Sequence, residues 1–320
     1  SRNYQVLVDV NLYLKDVVKE LKEQVKSLFD LLMESAEKHQ NVLLPGYTHL
    51  QIAMPSSFGM WFSAYAETLI DDIAMLNAAL KIVDQNPLGS AAGYGSSFPI
   101  DRTFTTKELG FETLKYNSVA AQMSRGKSEK TVAFAMSSVA ATLAKFSMDV
   151  CLYMSQNFDF ITLPSHLTTG SSIMPHKKNP DVFELIRGKC NKIQALPYEI
   201  TLITNNLPSG YHRDLQLLKE GLFPAIQNLK ACLDIALFSI KDIKVKEHIL
   251  DDKKYDYLFT VDSLNEMVVA GMPFRDAYKA VAEQLENGTF QSPKETKHTH
   301  EGSINNLCLD AIKEKMRASF

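Results

Sequence analysis

Long apolar runs are missing from this 320-residue sequence. Nowhere do eighteen apolar residues follow one another, so no segment reads as a membrane-spanning helix. A surplus of one charge is missing too. Lys and Arg number 34 against 37 Asp and Glu, for a net charge of -3, and the signs are intermixed. That leaves no basic stripe for nucleic acid and no polybasic tract for anionic lipid, so neither partner is expected. Cysteine is scarce: Cys151, Cys190, Cys232 and Cys308 stand far apart with no CxxC pair and no metal-ligand spacing. They are expected to be buried thiols. A charged-then-apolar secretory pattern is also absent, which makes the cytoplasm the expected location. Strand alternation is nearly absent. An initiating methionine is lacking as well, and the chain runs from Ser1 straight into an amphipathic pattern, so a portion ahead of it is expected.

What is present is helix. With 45% hydrophobic and 22% charged residues the chain can bury a large core and hold more than one domain-sized unit. From Val10 to Lys38, Leu14, Val17, Val18, Leu21, Val25, Leu28 and Leu32 recur at three- and four-residue steps, the period of a long amphipathic helix. Pro45 and Gly46 break it, and Pro55-Ser56-Ser57 signals the start of a second helix that runs to Val83. Residues 87 to 103 hold a GxG pair but no flanking strand and helix of the kind a dinucleotide site needs, and read as a structural connection. Asn117 to Asn157 reads as one helix buried on most of its circumference. Asp181 to Asn206 reads as another, kinked at Pro197, and Arg213 to Phe238 as a third. The fold class expected is all-α: an elongated long-helix bundle over residues 1–250 with a small helical C-terminal domain over 251–320. Several apolar stripes look wider than one neighbour can cover, which points to a homo-oligomer with active sites between subunits.

Three segments carry polar residues that a bundle does not require. They are Ser1-Arg2-Asn3, the stretch Gly46 to Gln51 around Thr48-His49, and the loop Gly170 to Pro180. The loop packs two hydroxyls, two ammonium groups and an amide into one short span. Taken alone, it is as readily a Gly/Ser connector followed by solvated lysines as it is an anion site. Backbone amides at helix N-termini and nearby Lys or Arg bind carboxylates, so the three segments together would suit a polyanionic substrate.

The loop sequence GSSIMPHKKNP resembles the signature of the fumarase/aspartase superfamily, and PGYTHLQ with SRN resembles the argininosuccinate lyase family within it. NPLGS, IDR, PDVFELIRGK and the run Tyr211 to Gln216 with Lys219 extend the resemblance along the chain. The resemblance implies reversible cleavage of argininosuccinate to arginine and fumarate, without metal or organic cofactor, by a homotetramer in which three chains share each active site. It implies that Ser171 is the base, that Lys177 and Asn179 grip the carboxylate beside the carbanion, and that His49 with Glu184 serves acid chemistry. It further implies that Ser1, Arg2, Asn3 and Thr48 bind the fumarate half, and Tyr211, Gln216 and Lys219 the arginine half. An N-terminal domain ahead of this segment belongs to the family pattern.

Tyr4 stands where the family has aspartate, and His176 where many argininosuccinate lyases have glutamine. His176 is more familiar from adenylosuccinate lyase, so adenylosuccinate and an acylated argininosuccinate stay open as substrates. An inactive crystallin-like protein or a core fragment stays open as a different class.

Overall fold

The computed structural model describes residues 2–320. Its first element, α1 (Arg2–Lys38), is 37 residues long and leads into an antiparallel hairpin, β1 (Leu43–Thr48) and β2 (Gln51–Ser57). The helix α2 (Phe58–Val83) returns along α1, started by Ser57, whose hydroxyl accepts from Met60 N. Its first turn lies so close to the end of α1 that a Cβ on Gly59 would stand 2.4 Å from Gln40 Cα. Gln85 carbonyl, just past α2, takes a bond from Asn11 near the start of α1, so the two helices are antiparallel over nearly their full length.

The connection that follows contains β3 (Gln85–Asn86), α3 (Arg102–Glu108), β4 (Thr113–Leu114) and α4 (Ser118–Met123). Arg102 straps it together, donating to the carbonyls of Leu88, Lys115 and Tyr116 at 2.7–2.8 Å. The structural reading of this segment fits that strap. The helix α5 (Lys127–Tyr153) crosses back along α2: Asp72 meets Ser138 and Thr142, and Asp149 accepts from Trp61 and Tyr65. After β5 (Ile161–Thr162) comes a short hairpin, β6 (Thr169–Gly170) and β7 (Lys178–Asn179), which brackets the loop 171–177. Then follow α6 (Asp181–Ile193), α7 (Leu196–Thr204), α8 (Leu218–Ile240) and β8 (Lys244–Val245), which pairs with β5. α8 is parallel to α1, with Tyr13 on Phe223, Glu20 with Lys230 and Gln24 with Asp234.

The all-α bundle is as expected, with three local corrections. Residues 117–157 are not one helix: Gly126 takes a left-handed φ of 83° and its N–H is claimed by the Glu129 carboxylate at 2.6 Å, so a new helix starts there. At 181–206 the kink is a full break, because Pro197 lacks the N–H needed to continue a helix and sits instead in the first turn of α7. The β1–β2 hairpin was not anticipated. Two helical stretches, Lys127–Tyr153 and Arg213–Ile240, are long and apolar enough by composition to cross a membrane, contrary to the sequence reading, with 56% and 44% of their most apolar windows buried in the bundle. Of the cysteines only Cys190 and Cys232 are buried; Cys151 and Cys308 are partly exposed.

After residue 250, Tyr255, Leu258 and Phe259 still pack in the main core. The helices α9 (Thr260–Val269) and α10 (Phe274–Glu286) enclose a small cluster of Leu264, Ala277 and Val281. The last helix, α11 (Leu309–Ser319), returns to the bundle, where Met316 joins the main core and Lys315 pairs with Glu67. Phe134 and Met148 on α5, Leu185 on α6, and Ile235 and Phe238 on α8 remain exposed on the bundle surface.

Candidate functional site

The chemistry-bearing residues gather at the two ends of the bundle. At one end, α5 finishes beside the start of α2, and the loop 171–177 stands over it. Ser171 is half-buried, and its Oγ accepts from the backbone N–H groups of Ile173 and Met174 at 3.3 and 3.1 Å. Gly170 and Pro175 shape the turn, and Lys177 N closes it onto Met174 carbonyl at 3.0 Å. Asn179 is fixed by its place in β7 and by a 3.4 Å bond to Thr169 Oγ1. Glu184 projects from the first turn of α6. Lys177, Asn179 and Glu184 line one cleft of about 380 Å³ together with His176, Met174 and Cys151. The cleft thus holds the ammonium groups of Lys177 and Lys178 and the amides of Asn179 and Gln156 as donors for an anion, with Glu184 as its one carboxylate.

Cys151 lies inside a helix, α5, as expected, but it is partly exposed rather than buried and lines this cleft. Its helical setting gave no hint, because the cleft is made by a loop arriving from twenty residues downstream. Burial pushes its thiol up from the ordinary value despite the nearby Arg187, so it is a neutral wall rather than a nucleophile.

Thr48 and His49 occupy the tip of the β1–β2 hairpin at this same end, both exposed. Thr48 pairs with Gln51 across a two-residue turn in which His49 and Leu50 have φ of 54° and 58°, the left-handed pair of a type I′ turn. The hairpin root is held by Tyr47, packed edge-on against Phe158 at 5.2 Å between centroids, with its hydroxyl 3.4 Å from that of Tyr255. Burial raises the Tyr47 phenol well above its usual value. His49 is not among the residues lining the cleft of Lys177.

The opposite end holds the remainder. Ser1 lies outside the described residues, Arg2 begins α1, and Asn3 follows it half-buried. Tyr4 shares a cavity with Leu88, Gly89, Asp101 and Arg102 of the strapped connection. That connection reaches across to the 208–216 segment, since a Cβ on Gly210 would stand 3.6 Å from the Tyr94 hydroxyl. Tyr211 Oη accepts from Gln216 Nε2 at 2.8 Å, and the half-buried Lys219 lies in the first turn of α8. A cleft of about 310 Å³ opens beside them, lined by Arg125, Lys127, Lys130, Gly210 and His212. In the sequence Arg125 looks like one position of a continuous helix and carries no site signal; the broken helix at Gly126 is what exposes its place.

Between these two groups runs the length of α5, whose 27 residues span about 40 Å at 1.5 Å per residue. Ser171 and Tyr211 of one chain therefore stand at opposite ends of the bundle.

A family model described as Lyase matches residues 1–195. The argininosuccinate lyase of Parabacteroides distasonis is 59% identical over 318 residues, covering 99% of this chain and 71% of that protein. The argininosuccinate lyase of Xylella fastidiosa is 37% identical, covering 98% and 71%. Among solved structures, an EDDS lyase in complex with formate superposes with a TM-score of 0.83 at 19% identity, over 100% of this chain and 71% of that one. A class II fumarase from Schistosoma mansoni gives 0.77 at 18%, over 100% and 71%. The two structures agree on the helical bundle, and the sequence relatives narrow the group within it: the chain belongs to the argininosuccinate lyase family of the fumarase/aspartase superfamily.

Proposed function

We propose that this chain forms catalytic centres that eliminate fumarate reversibly from argininosuccinate to release arginine, each centre built from opposite ends of different chains in a homotetramer. The observation that carries the proposal is the loop 171–177: Ser171 Oγ, itself outside the cleft lining, accepts an N–H bond from Ile173 and one from Met174, and Met174 lines the cleft with Lys177 and Asn179. Ser171 removes the proton from the carbon next to a carboxylate. That proton is very weakly acidic, so the charge gathering on the carboxylate must be held as it forms. Lys177 and Asn179 do this, and one such preorganised donor is worth about 3 kcal/mol in the transition state. Nitrogen then leaves as the guanidinium of arginine and requires a proton, supplied by His49 in partnership with Glu184.

Ser1, Arg2, Asn3 and Thr48 hold the fumarate carboxylates, and Tyr211, Gln216 and Lys219 hold the arginine half. The exposed apolar residues Phe134, Leu185, Ile235 and Phe238 support burial of the bundle faces between chains. The cytoplasm is the proposed location, and no nucleic acid or membrane takes part.

Fumarate release followed by ultraviolet absorbance tests this. Argininosuccinate should be turned over and adenylosuccinate not, and Ser171→Ala should lower kcat by about 100- to 10,000-fold with KM little changed. Turnover of adenylosuccinate alone would transfer specificity to the reading suggested by His176. Inertness toward both substrates would reject catalysis altogether.

A further inference from the structure

Next to Tyr211 and Gln216 lies a buried ion pair to which the reaction assigns no part. Arg125 is 6% exposed and Glu129 2%. Arg125 Nε stands 2.7 Å from Glu129 Oε1, and Glu129 Oε2 accepts from Gly126 N at 2.6 Å. The other side of the guanidinium faces a different element: Nη2 donates to Leu215 carbonyl at 3.0 Å. Burying a charge pair in place of apolar side chains seldom adds stability, so its geometry is the more informative property.

Leu215 sits inside the short 3-10 turn Arg213–Gln216. That turn ends at Gln216, whose amide is bonded to Tyr211. The start of α5 and the turn also interlock sterically, since a Cβ on Gly126 would come within 3.3 Å of Leu215 Cδ2.

We propose that Arg125, held by Glu129, is a positioning residue for the arginine half of the substrate. It fixes the Leu215 carbonyl, and through that turn the placement of Gln216 and Tyr211. The inference rests on the role given above to those two residues. Arg125 touches no reacting atom; it acts through the 3-10 turn. A lysine at this position keeps the charge beside Glu129, but a single ammonium lacks the planar fork that reaches Glu129 and Leu215 together.

The test uses the assembled enzyme in the direction of argininosuccinate synthesis, where the two halves are separate molecules. In Arg125→Lys and Arg125→Gln the KM for arginine should rise about 10-fold or more, the loss expected for one buried charge-assisted hydrogen bond. The KM for fumarate should stay within about twofold, because its contacts lie elsewhere. A merely structural role would move both constants or neither. In a Gln216→Ala background, Arg125→Lys should add less than about twofold, since its route of action is already cut.

Parallel rises in both KM values, an unchanged Arg125→Lys enzyme, or multiplicative effects with Gln216→Ala would each overturn the proposal. If Arg125→Gln fails to fold, Arg125→Lys and the double-variant comparison still decide. An unsubstituted enzyme that cannot join arginine to fumarate would overturn the functional reading and this inference with it. An active one whose variants are unselective overturns this inference alone.

Discussion

Mixing two defective enzymes should restore activity, and the amount can be worked out from the bundle. Ser171→Ala disables the loop end and Lys219→Met the opposite end, about 40 Å away along the 27-residue α5. Each variant alone assembles only centres that lack one group. When equal amounts are dissociated and reassembled together, a centre draws its loop from one chain and its Lys219 end from another. Each draw is intact half the time, so about one quarter of the centres carry both groups in a randomly mixed symmetric oligomer. Fumarate release by the mixture should therefore approach about 25% of the unsubstituted rate, against a few per cent or less for either parent. The assay needs a control in which each variant is dissociated and reassembled by itself. If both groups served one centre from the same chain, mixing would add nothing, because no hybrid would contain an intact chain. Recovery no greater than the reassembled parents would thus refute the division of the site between ends.

Replacing Gly126 by alanine should destabilise the protein by about 2–3 kcal/mol, since a Cβ there costs about 1–2 kcal/mol in the left-handed backbone and also meets Thr204 Cγ2 at 2.7 Å. Thermal unfolding would show this as a melting temperature lower by several degrees, and an unchanged value would contradict the strain argument. Asp72, buried between Ser138 and Thr142, has its carboxyl held above the usual range chiefly by desolvation. The folded chain therefore retains this proton over a window where the unfolded chain has lost it, so stability declines as pH rises from the ordinary carboxylate value through the folded one. Asp72→Asn should flatten that part of the melting-temperature profile; an identical slope in both proteins would mean Asp72 is not its source.

The helices were legible because their period is written in the residues themselves. Leu14, Val17, Val18, Leu21 and Val25, spaced at three and four, are all 1% exposed or less. The β1–β2 hairpin was not legible, because Pro45, Gly46 and Pro55 interrupt both strands and the turn between them carries His49-Leu50 in place of the usual Asn-Gly or Asp-Gly. The break before α5 was equally hidden, since it shows itself only in the positive φ of Gly126 and in the capping bond that its N–H donates to Glu129 Oε2.

The candidate site residues are named by motif, and their grouping is not. Lys177 and Asn179 could be expected near Glu184 because only a few residues separate them. No spacing along the chain reveals that α1 and α8 run parallel while α2 lies against α1 in the opposite sense. That arrangement alone sends Asn3 and Tyr211 to one end of the bundle and Ser171 to the other. Arg125 escaped for a related reason: its partner, Leu215 carbonyl, is ninety residues away and is a backbone atom without a sequence signature.

The turn at His49 and Leu50 carries a further consequence. Two adjacent residues with side chains hold a conformation that glycine adopts freely, at a cost of about 1–2 kcal/mol apiece. Leu50 is 70% exposed, so little packing compensates for its share. The point from which the imidazole departs is consequently written into the main chain: with β1 and β2 on either side, the Cα–Cβ vector of His49 has one direction available. A hairpin of this kind behaves as a stiff mount, which fixes where the His49 side chain leaves the main chain and leaves only its two side-chain torsions to be set by whatever packs against it.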